Sequence, residues 1–312
     1  MLSLNRILVG VDFDPVANDL PLPTREAVKK AIWLAAAKRA SVTLFSALDD
    51  ETTGPEVQIE GVEVQDTRDV VNEMLAPFLQ EAQDKGVAIA SKIVVGRGWL
   101  ELTKEVIREG YDLLIVGTKN VAASQQMIYG STDVKLLRKC PCPLWITRPD
   151  VNPLEVTTIV AADDLSPVAN KVLNAAVTAA SLISARLLVV HAIAYRLESA
   201  LKRTECPMEM LDEYRDKVRR DAEQHISTRL AQTDYRTLDQ GTQILIQAGP
   251  ADTIIEQAVV DHDADLLVMG TIARGGIPGF VIGNTAERLL PRLKCSILAV
   301  KPDDFVSPIK PD

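Results

Sequence analysis

The chain has 312 residues, with 47% hydrophobic, 25% charged and only 4% aromatic residues, and its formal net charge is −9. An acidic chain lacks the clustered Lys and Arg that nucleic-acid phosphates require, so we expect no nucleic-acid partner. No apolar run is long enough to cross a bilayer, and four cysteines are too few for a secreted disulfide framework. We therefore expect a cytoplasmic protein with no membrane span. A nucleotide ligand stays open, because backbone N–H groups at a helix start can hold phosphate.

The first half of the chain predicts an alternation of short apolar strands and amphipathic helices. Its first strand ends in Asp12 and its fourth strand ends in Gly117. The predicted elements are, in chain order, a strand over 7–11, a helix over 24–39, a strand over 41–48, a polar stretch with a helix, a strand over 87–95, a helix, a strand over 112–117, a glycine-containing loop with a helix, and a strand over 143–147.

The second half repeats this order after a linker at 148–155 that contains two prolines. Its predicted elements are a strand over 158–162, a helix over 167–184, and strands over 186–193, 242–248, 265–270 and 297–300, before a tail at 303–312. The polar inserts at 49–73 and 196–240 differ most between the halves. Variable insertions on a scaffold often carry a ligand or partner surface.

A constant sequence offset indicates that the two halves are copies of one domain. An offset of 153 relates Asp112 to Asp265, Gly117 to Gly270, Gly130 to Gly283, and Cys142 to Cys295. The openings of the two copies match with an offset of 151, which relates Asp12 to Asp163. We predict two tandem domains, 1–150 and 151–312, related by a pseudo-two-fold axis.

Continuous apolar strands that alternate with helices are typical of a parallel sheet covered on both faces. The predicted fold class is therefore α/β, with two doubly wound, flavodoxin- or Rossmann-like domains. Such sheets bind ligands beyond the carboxyl ends of their strands, where the strand order reverses. In the first copy the first strand ends in Asp12 and the fourth in Gly117. In the second copy the corresponding residues are Asp163 and Gly270.

An Asp after the first strand, Gly-Thr after the fourth strand and a further glycine near a helix start resemble the universal stress protein family. The resemblance covers nearly the whole chain and is clearest in the segments 270–279 and 283–287. The segment 136–141 in the first half is similar to the tandem E-type members found in bacteria. This resemblance implies a stress-response protein with two universal stress protein domains.

Nucleotide-binding members of the family carry the loop motif G-x2-G-x9-G-[ST] after the fourth strand. Glycines let the backbone approach phosphate, and the last glycine and hydroxyl stand at a helix N-terminus that favours anions. The first half has one departure from this motif, at its second position, and the second half has two. The motif positions are Gly117, Asn120, Gly130 and Ser131 in the first half, and Gly270, Ala273, Gly283 and Asn284, followed by Thr285, in the second.

The resemblance implies binding of ATP or a related adenine nucleotide in at least one half, as a sensor rather than a catalyst. Loop composition favours the second half, with Mg²⁺ expected only together with the nucleotide. The implied site residues are the motif positions named above together with Asp12 and Asp163. A nucleotide-free interaction scaffold and a slow ATPase are the alternatives, although the sequence has no Walker lysine. A small hydrophobic ligand also stays open.

Family members usually dimerise through the last strand. In a tandem chain the two halves resemble the two partners of such a dimer, so the strands at 143–147 and 297–300 are expected to pair within the chain. We therefore predict a pseudo-symmetric monomer, with a homodimer as a further step of assembly.

Most of the cysteines and histidines are expected to have structural roles. Cys140 and Cys142 lack the spacing of a zinc site, and Cys142 and Cys295 head matching buried strands, so core packing is expected. His191, at the end of a strand, is expected to line the second cleft or to assist a metal. His225 lies in a polar helical pattern and is expected to be solvated.

Overall fold

The structure is a computed structural model that describes residues 4–13, 19–48, 67–118, 130–148, 156–204, 206–271 and 283–311. The predicted linker, apart from Arg148, and the motif residues Asn120 and Ala273 lie outside these ranges. The first half contains β1 (Arg6–Gly10), α1 (Leu22–Lys38), β2 (Ser41–Leu48), α2 (Thr67–Asp84), β3 (Ala88–Val95), α3 (Gly98–Glu109), β4 (Leu113–Gly117), α4 (Ser131–Lys139) and β5 (Leu144–Thr147).

The second half follows the same plan with one added helix. Its elements are β6 (Thr158–Ala162), α5 (Ala169–Ile183), β7 (Arg186–Ile193), α6 (Glu198–Arg203), α7 (Met208–Leu230), β8 (Thr242–Ala248), α8 (Ala251–Asp261), β9 (Leu266–Gly270), α9 (Asn284–Leu289) and β10 (Ser296–Val300). The predicted strands are confirmed to within one residue at their ends. The insert at 196–240 is folded as α6, α7 and a short 3-10 turn at Tyr235–Thr237.

The strands form one ten-stranded sheet with the order β3-β2-β1-β4-β5-β10-β9-β6-β7-β8. Neighbouring strands are parallel within each half, and β5 and β10 lie antiparallel in the centre, with Trp145 opposite Leu298. Each half therefore has the doubly wound order expected from its sequence. The order reverses between β1 and β4 in the first half and between β6 and β9 in the second.

The central strands are apolar because both of their faces are covered by helices. Ile7, Leu8 and Val9 of β1 are fully buried, and alternate residues belong to two hydrophobic layers on opposite sides of the sheet. One layer packs against α1, α2, α5 and α7, and the other against α3, α4, α8 and α9. Helices α1 and α5 contain alanine-rich stretches, and their small side chains let each helix approach the sheet closely. The core therefore needs few aromatic residues to fill it.

Hydrogen bonds at the start of β1 and β6 fix the correspondence between the two halves. The backbone N–H of Arg6 donates to Asp112 Oδ2 at 3.0 Å, and the backbone N–H of Thr158 donates to Asp265 Oδ2 at 3.1 Å. Arg6 also begins β1 as Thr158 begins β6. The offset between the first strands is therefore 152.

The predicted match of Asp12 with Asp163 is consequently wrong by one residue. Asp164 is the counterpart of Asp12, and the counterpart of Asp163 is Val11, whose backbone N–H bonds the second strand in the same way. The sequence pattern failed here because a strand buried on both faces has no polar alternation that would fix its register. The signal that the sequence did carry lies beyond the strand, in the segment Pro-Val-Ala-Asn that occurs at 15–18 and again, 152 residues later, at 167–170.

Candidate functional site

A cleft of about 690 Å³ opens at the carboxyl ends of β6, β7 and β9 in the second half. It lies at the point where the strand order reverses, which is where open α/β sheets bind their ligands. The predicted site residues that line it are Asp163, Gly270, Gly283, Asn284 and Thr285. Strand ends and the start of α9 thus bring together positions that are more than 100 residues apart in sequence.

The side chain of Asp163 is fully buried and holds the loop after β6 in place. Its Oδ1 accepts the backbone N–H of Leu165 at 2.6 Å and lies 3.1 Å from Arg229 Nη1. The other guanidinium nitrogen, Nη2, donates to the carbonyl of Leu165 at 2.9 Å. Leu165 has φ of 60°, a left-handed conformation that is costly for a branched residue. Arg229 of α7 therefore clamps a strained turn, and Asp163 acts as its anchor.

Asp164 is the carboxylate that is exposed to the cleft. It is solvent-exposed and lines the cleft, and its Oδ1 accepts the backbone N–H of Ser166 at 2.9 Å. Asp163 is buried, whereas Asp164 is exposed. The exposed carboxylate at the end of β6 is therefore that of Asp164.

His191 is oriented by a backbone carbonyl at the base of the cleft. Its Nδ1 lies 2.7 Å from the carbonyl oxygen of Asp163. A carbonyl only accepts, so Nδ1 carries a proton in this contact. The prediction that His191 lines the cleft is confirmed.

The sequence did not predict that α7 forms one wall of the cleft. Val218, Asp221, Ala222 and His225 line it, so the exposed His225 is a cleft residue as well as a solvated one. Val218, Ala222, His225 and Arg229 are spaced by three or four residues, which places them on one helical face. This spacing indicated in the sequence that the four residues share a helical face, but it did not show which part of the sheet that face would cover.

In the first half, helix α1 packs closely against the glycine that ends β4. A Cβ atom added to Gly117 would lie 2.4 Å from the carbonyl carbon of Pro23, so the first turn of α1 presses against the end of β4. At the start of α4, the carboxylate of Asp133 accepts the backbone N–H of Gly130 at 2.8 Å and is almost fully buried. A carboxylate thus already occupies the anion-favouring end of this helix.

The same two positions are more open in the second half. Among the described residues, a Cβ atom on Gly270 would meet only the side chain of Val168, at 2.9 Å. The counterpart of Asp133 is Ala286, at the same distance from the N-terminal glycine of its helix, so α9 carries no such carboxylate. In the first half Asp12 and Ser131 are exposed, but backbone and carboxylate groups crowd Gly117 and Gly130.

Two buried lysines lie near the junction between the halves. Burial lowers the pKa of Lys30 to about 8, and its ammonium lies 4.9 Å from the ring centroid of Trp145 in β5. Burial likewise lowers the pKa of Lys301 to about 8, while its Nζ donates to the carbonyl of Leu137 in the other half. Arg138 of α4 also pairs with Glu287 of α9 at 3.2 Å. The contacts of Lys301 with Leu137 and of Arg138 with Glu287 join residues of the two halves.

Cys142 and Cys295 lie in the core, as predicted. Cys140, Cys142 and Cys295 are buried, and the Sγ atoms of Cys140 and Cys142 lie 3.6 Å apart. Within the described ranges, no group of three His, Cys, Asp or Glu side chains is arranged to hold a metal ion. No helix in the described part of the chain is long and apolar enough to cross a membrane.

Known proteins of similar sequence and fold match both halves of the chain. The model of the universal stress protein family matches residues 3–148 and again residues 155–301. Universal stress protein E of Photorhabdus laumondii is 25% identical over 99% of both chains, and that of Escherichia coli is 28% identical over 73% of this chain and 72% of its own. A Pseudomonas aeruginosa protein of unknown function has the same fold, with a TM-score of 0.71, 24% identity and coverage of 97% of this chain and 95% of its own. The chain therefore belongs to the universal stress protein family, as a tandem member with two such domains.

Proposed function

We propose that this protein is a cytoplasmic stress-response protein that binds ATP or a related adenine nucleotide in the cleft of its second half, as a sensor. The observation that carries the proposal is the 690 Å³ cleft, which joins Asp164, Gly270 and the start of α9 around one space. Its volume is in the ordinary range for a small-molecule site. Asn284 and Thr285 supply donors and a hydroxyl where the family motif has its [ST] position.

The difference between the halves supports one nucleotide per chain. In the first half the backbone of Pro23 covers Gly117, and Asp133 takes the position where a phosphate would approach the start of α4. A buried carboxylate at this place repels phosphate. The second half has Ala286 at the same place, so the start of α9 lacks this negative charge, while the backbone N–H of Gly283 donates to the carbonyl of Thr271 at 3.0 Å.

Placing in the second half a carboxylate equivalent to Asp133 tests which half binds the nucleotide. Ala286→Asp places at α9 the group that Asp133 places at α4, and we expect it to abolish nucleotide binding. Ala286→Asn is the matched control, because it has nearly the same size without the charge, and we expect it to keep most of the affinity. Equal loss in both variants would point to steric crowding and would contradict the electrostatic argument.

Native mass spectrometry of the freshly purified protein, followed by acid release of the ligand, tests the proposal itself. We expect one adenine nucleotide per chain, or a rise in melting temperature with added ATP, because binding to the native state stabilises it. A protein that is empty and unaffected by millimolar ATP would favour the nucleotide-free scaffold. Steady turnover of ATP that Asp164→Ala removes would favour the slow ATPase.

The sheet topology also supports the proposal that the two halves pair within one chain. β5 and β10 lie side by side, and Ile146 faces Ile297 across the antiparallel pair. The apolar edge of each half is thereby covered without a second chain. We expect light scattering to give the mass of one chain, 34.0 kDa, at low concentration. Only large obligate oligomers at every concentration would contradict this.

A further inference from the structure

We infer that Cys140 and Cys142 are a site of oxidation, at which a small peroxide converts the two thiols into a reversible disulfide bond. The two residues lie between the last turn of α4 and the start of β5. Neither of them lines the cleft of the second half, so the inference does not depend on the proposed function.

The backbone holds the two thiols on the same side of the chain. Cys140 has φ of −71° and ψ of 127°, an extended conformation, and the ring of Pro141 restricts the residue that follows. Residues at i and i+2 of an extended segment point to one side, and the two Sγ atoms lie 3.6 Å apart. They need to approach by only about 1.5 Å to reach the bond length of a disulfide.

The second half shows that the fold does not require this pair of thiols. Leu293 takes the place of Cys140, and the backbone N–H of each donates to the leucine four residues earlier, at 3.1 Å and 2.9 Å. Cys295 takes the place of Cys142 and is buried like it, so packing in the core explains that position in both halves. It does not explain Cys140, because leucine fills the same place in the second half.

The reaction needs one peroxide molecule and no other reactant. One thiol attacks an oxygen of the peroxide, the O–O bond breaks, and the sulfur becomes a sulfenic acid while the thiol proton leaves with the other oxygen as water or an alcohol. The second thiol then attacks the sulfenic sulfur, an S–S bond forms, and its proton leaves with the hydroxyl group as water. The two thiols together lose two electrons, and the peroxide gains them.

Burial determines both the rate and the product of this oxidation. Cys140 is fully buried and Cys142 is 8% exposed, so only an oxidant as small as a peroxide reaches the pair, and it does so slowly. Burial also raises the pKa of the Cys142 thiol well above its usual 9.0, which slows the reaction further. A sulfenic acid at either residue touches the other thiol and is shielded from more peroxide. A disulfide is therefore the expected product, and a sulfinic acid is not.

The expected disulfide is easily reversed. It closes a loop of only three residues, and the strain of so small a ring makes the bond easy to reduce with thiols. Disulfides in a reducing compartment are usually of this transient kind and report on oxidants. The pair thus gives the protein a response to oxidation that is separate from its cleft.

Peptide mass spectrometry on Cys206→Ser protein tests the inference, because this background removes the partly exposed thiol. The protein is treated with hydrogen peroxide, quenched with catalase, unfolded in iodoacetamide and digested with trypsin. The peptide that begins at Cys140 contains both thiols of the pair. After oxidation we expect it to have lost two hydrogen atoms and to carry no alkyl group. After dithiothreitol it should be alkylated at both residues.

Three further variants separate the pair from other oxidation products. Cys140→Leu copies the second half and should abolish the disulfide, with Cys142→Ala as the second variant if leucine fits poorly. Cys295→Ala is the matched control, because it removes another buried thiol and should leave the disulfide in place.

Three results would each overturn the inference. The first is a loss of two hydrogen atoms that persists in Cys140→Leu, and the second is a sulfinic acid at Cys140 or Cys142 in place of the disulfide. The third is full alkylation of both thiols after a treatment that oxidises Cys206 in the wild-type protein. None of these results bears on nucleotide binding in the second half.

Discussion

The fully buried carboxylate of Asp163 lies 3.1 Å from the guanidinium of Arg229, which is 66 positions further along the chain. This ion pair connects the insert of the second half to the floor of the cleft. The same guanidinium bonds the carbonyl of Leu165 and so holds the loop that follows β6. A residue of the variable insert thus shapes the candidate site.

Removal of Arg229 is expected to destabilise the protein. Arg229→Met leaves a buried carboxylate without its cation, and we expect the free energy of unfolding in urea to fall by about 2–4 kcal/mol. Adding Asp163→Asn should recover part of this loss, since the remaining buried group is then neutral. The control is Arg215→Met, which breaks the exposed pair with Glu198 and should cost much less. Equal losses at the two arginines would contradict the clamp.

Methyl groups added to the two equivalent glycines should have unequal effects. Gly117→Ala forces a Cβ against the backbone of Pro23, and we expect a loss of about 3 kcal/mol because helix and strand must separate. Within the described part of the chain Gly270→Ala meets only the Val168 side chain, which can change rotamer, so a loss of about 1 kcal/mol is expected. Thermal or chemical unfolding measures both; a larger loss at Gly270 would contradict the proposed difference in crowding.

Stability should rise between about pH 8 and pH 9. Burial lowers the pKa values of Lys30 and Lys301 to about 8 from the ordinary 10.5, so in this window the unfolded chain binds more protons than the native one. The free energy of unfolding then increases with pH, by about 1 kcal/mol per lysine. Urea titrations at pH 8 and pH 9 check this, and Lys30→Met should remove about half of the rise.

The rise should diminish above pH 9, where buried thiols act in the opposite direction. Burial raises the pKa of Cys295 to about 12 and that of Cys142 well above its usual 9.0, so the native state retains protons that the unfolded chain loses. Cys295→Ala is expected to extend the rise beyond pH 9. A stability that falls from pH 8 to pH 9 would contradict the burial of the two lysines.

The cysteines should also differ in their reaction with a thiol reagent. Cys206 is partly exposed, whereas Cys140, Cys142 and Cys295 are buried, so we expect Cys206 to be the one thiol that reacts rapidly in the native state. The other three should react only after unfolding in denaturant. Mass spectrometry of alkylated peptides locates the modified residues, with Cys206→Ser as the control. Rapid labelling of Cys140 or Cys142 would contradict their place in the core.

The α/β fold and its duplication could be predicted from sequence because both leave local signals. Apolar strands that alternate with helices predicted the doubly wound sheet, and the constant offset from Asp112–Asp265 to Cys142–Cys295 predicted two copies. Gly270 and Gly283, which the family motif singled out, line the cleft of the second half. Strands and helices depend on residues near each other in sequence, and the duplication is visible as a constant spacing. Composition and spacing therefore suffice to find both.

Only the tertiary structure decided the details of the site. It showed that Asp12 matches Asp164 and not Asp163, in agreement with the segment Pro-Val-Ala-Asn at 15–18 and 167–170, because hydrogen bonds between strands fix the register of an apolar strand. It also brought His225 from the insert to the cleft, Arg229 from the insert to the buried Asp163, and Pro23 to the end of β4. Such contacts join residues far apart in the chain, so their physical cause is the packing of whole helices on the sheet.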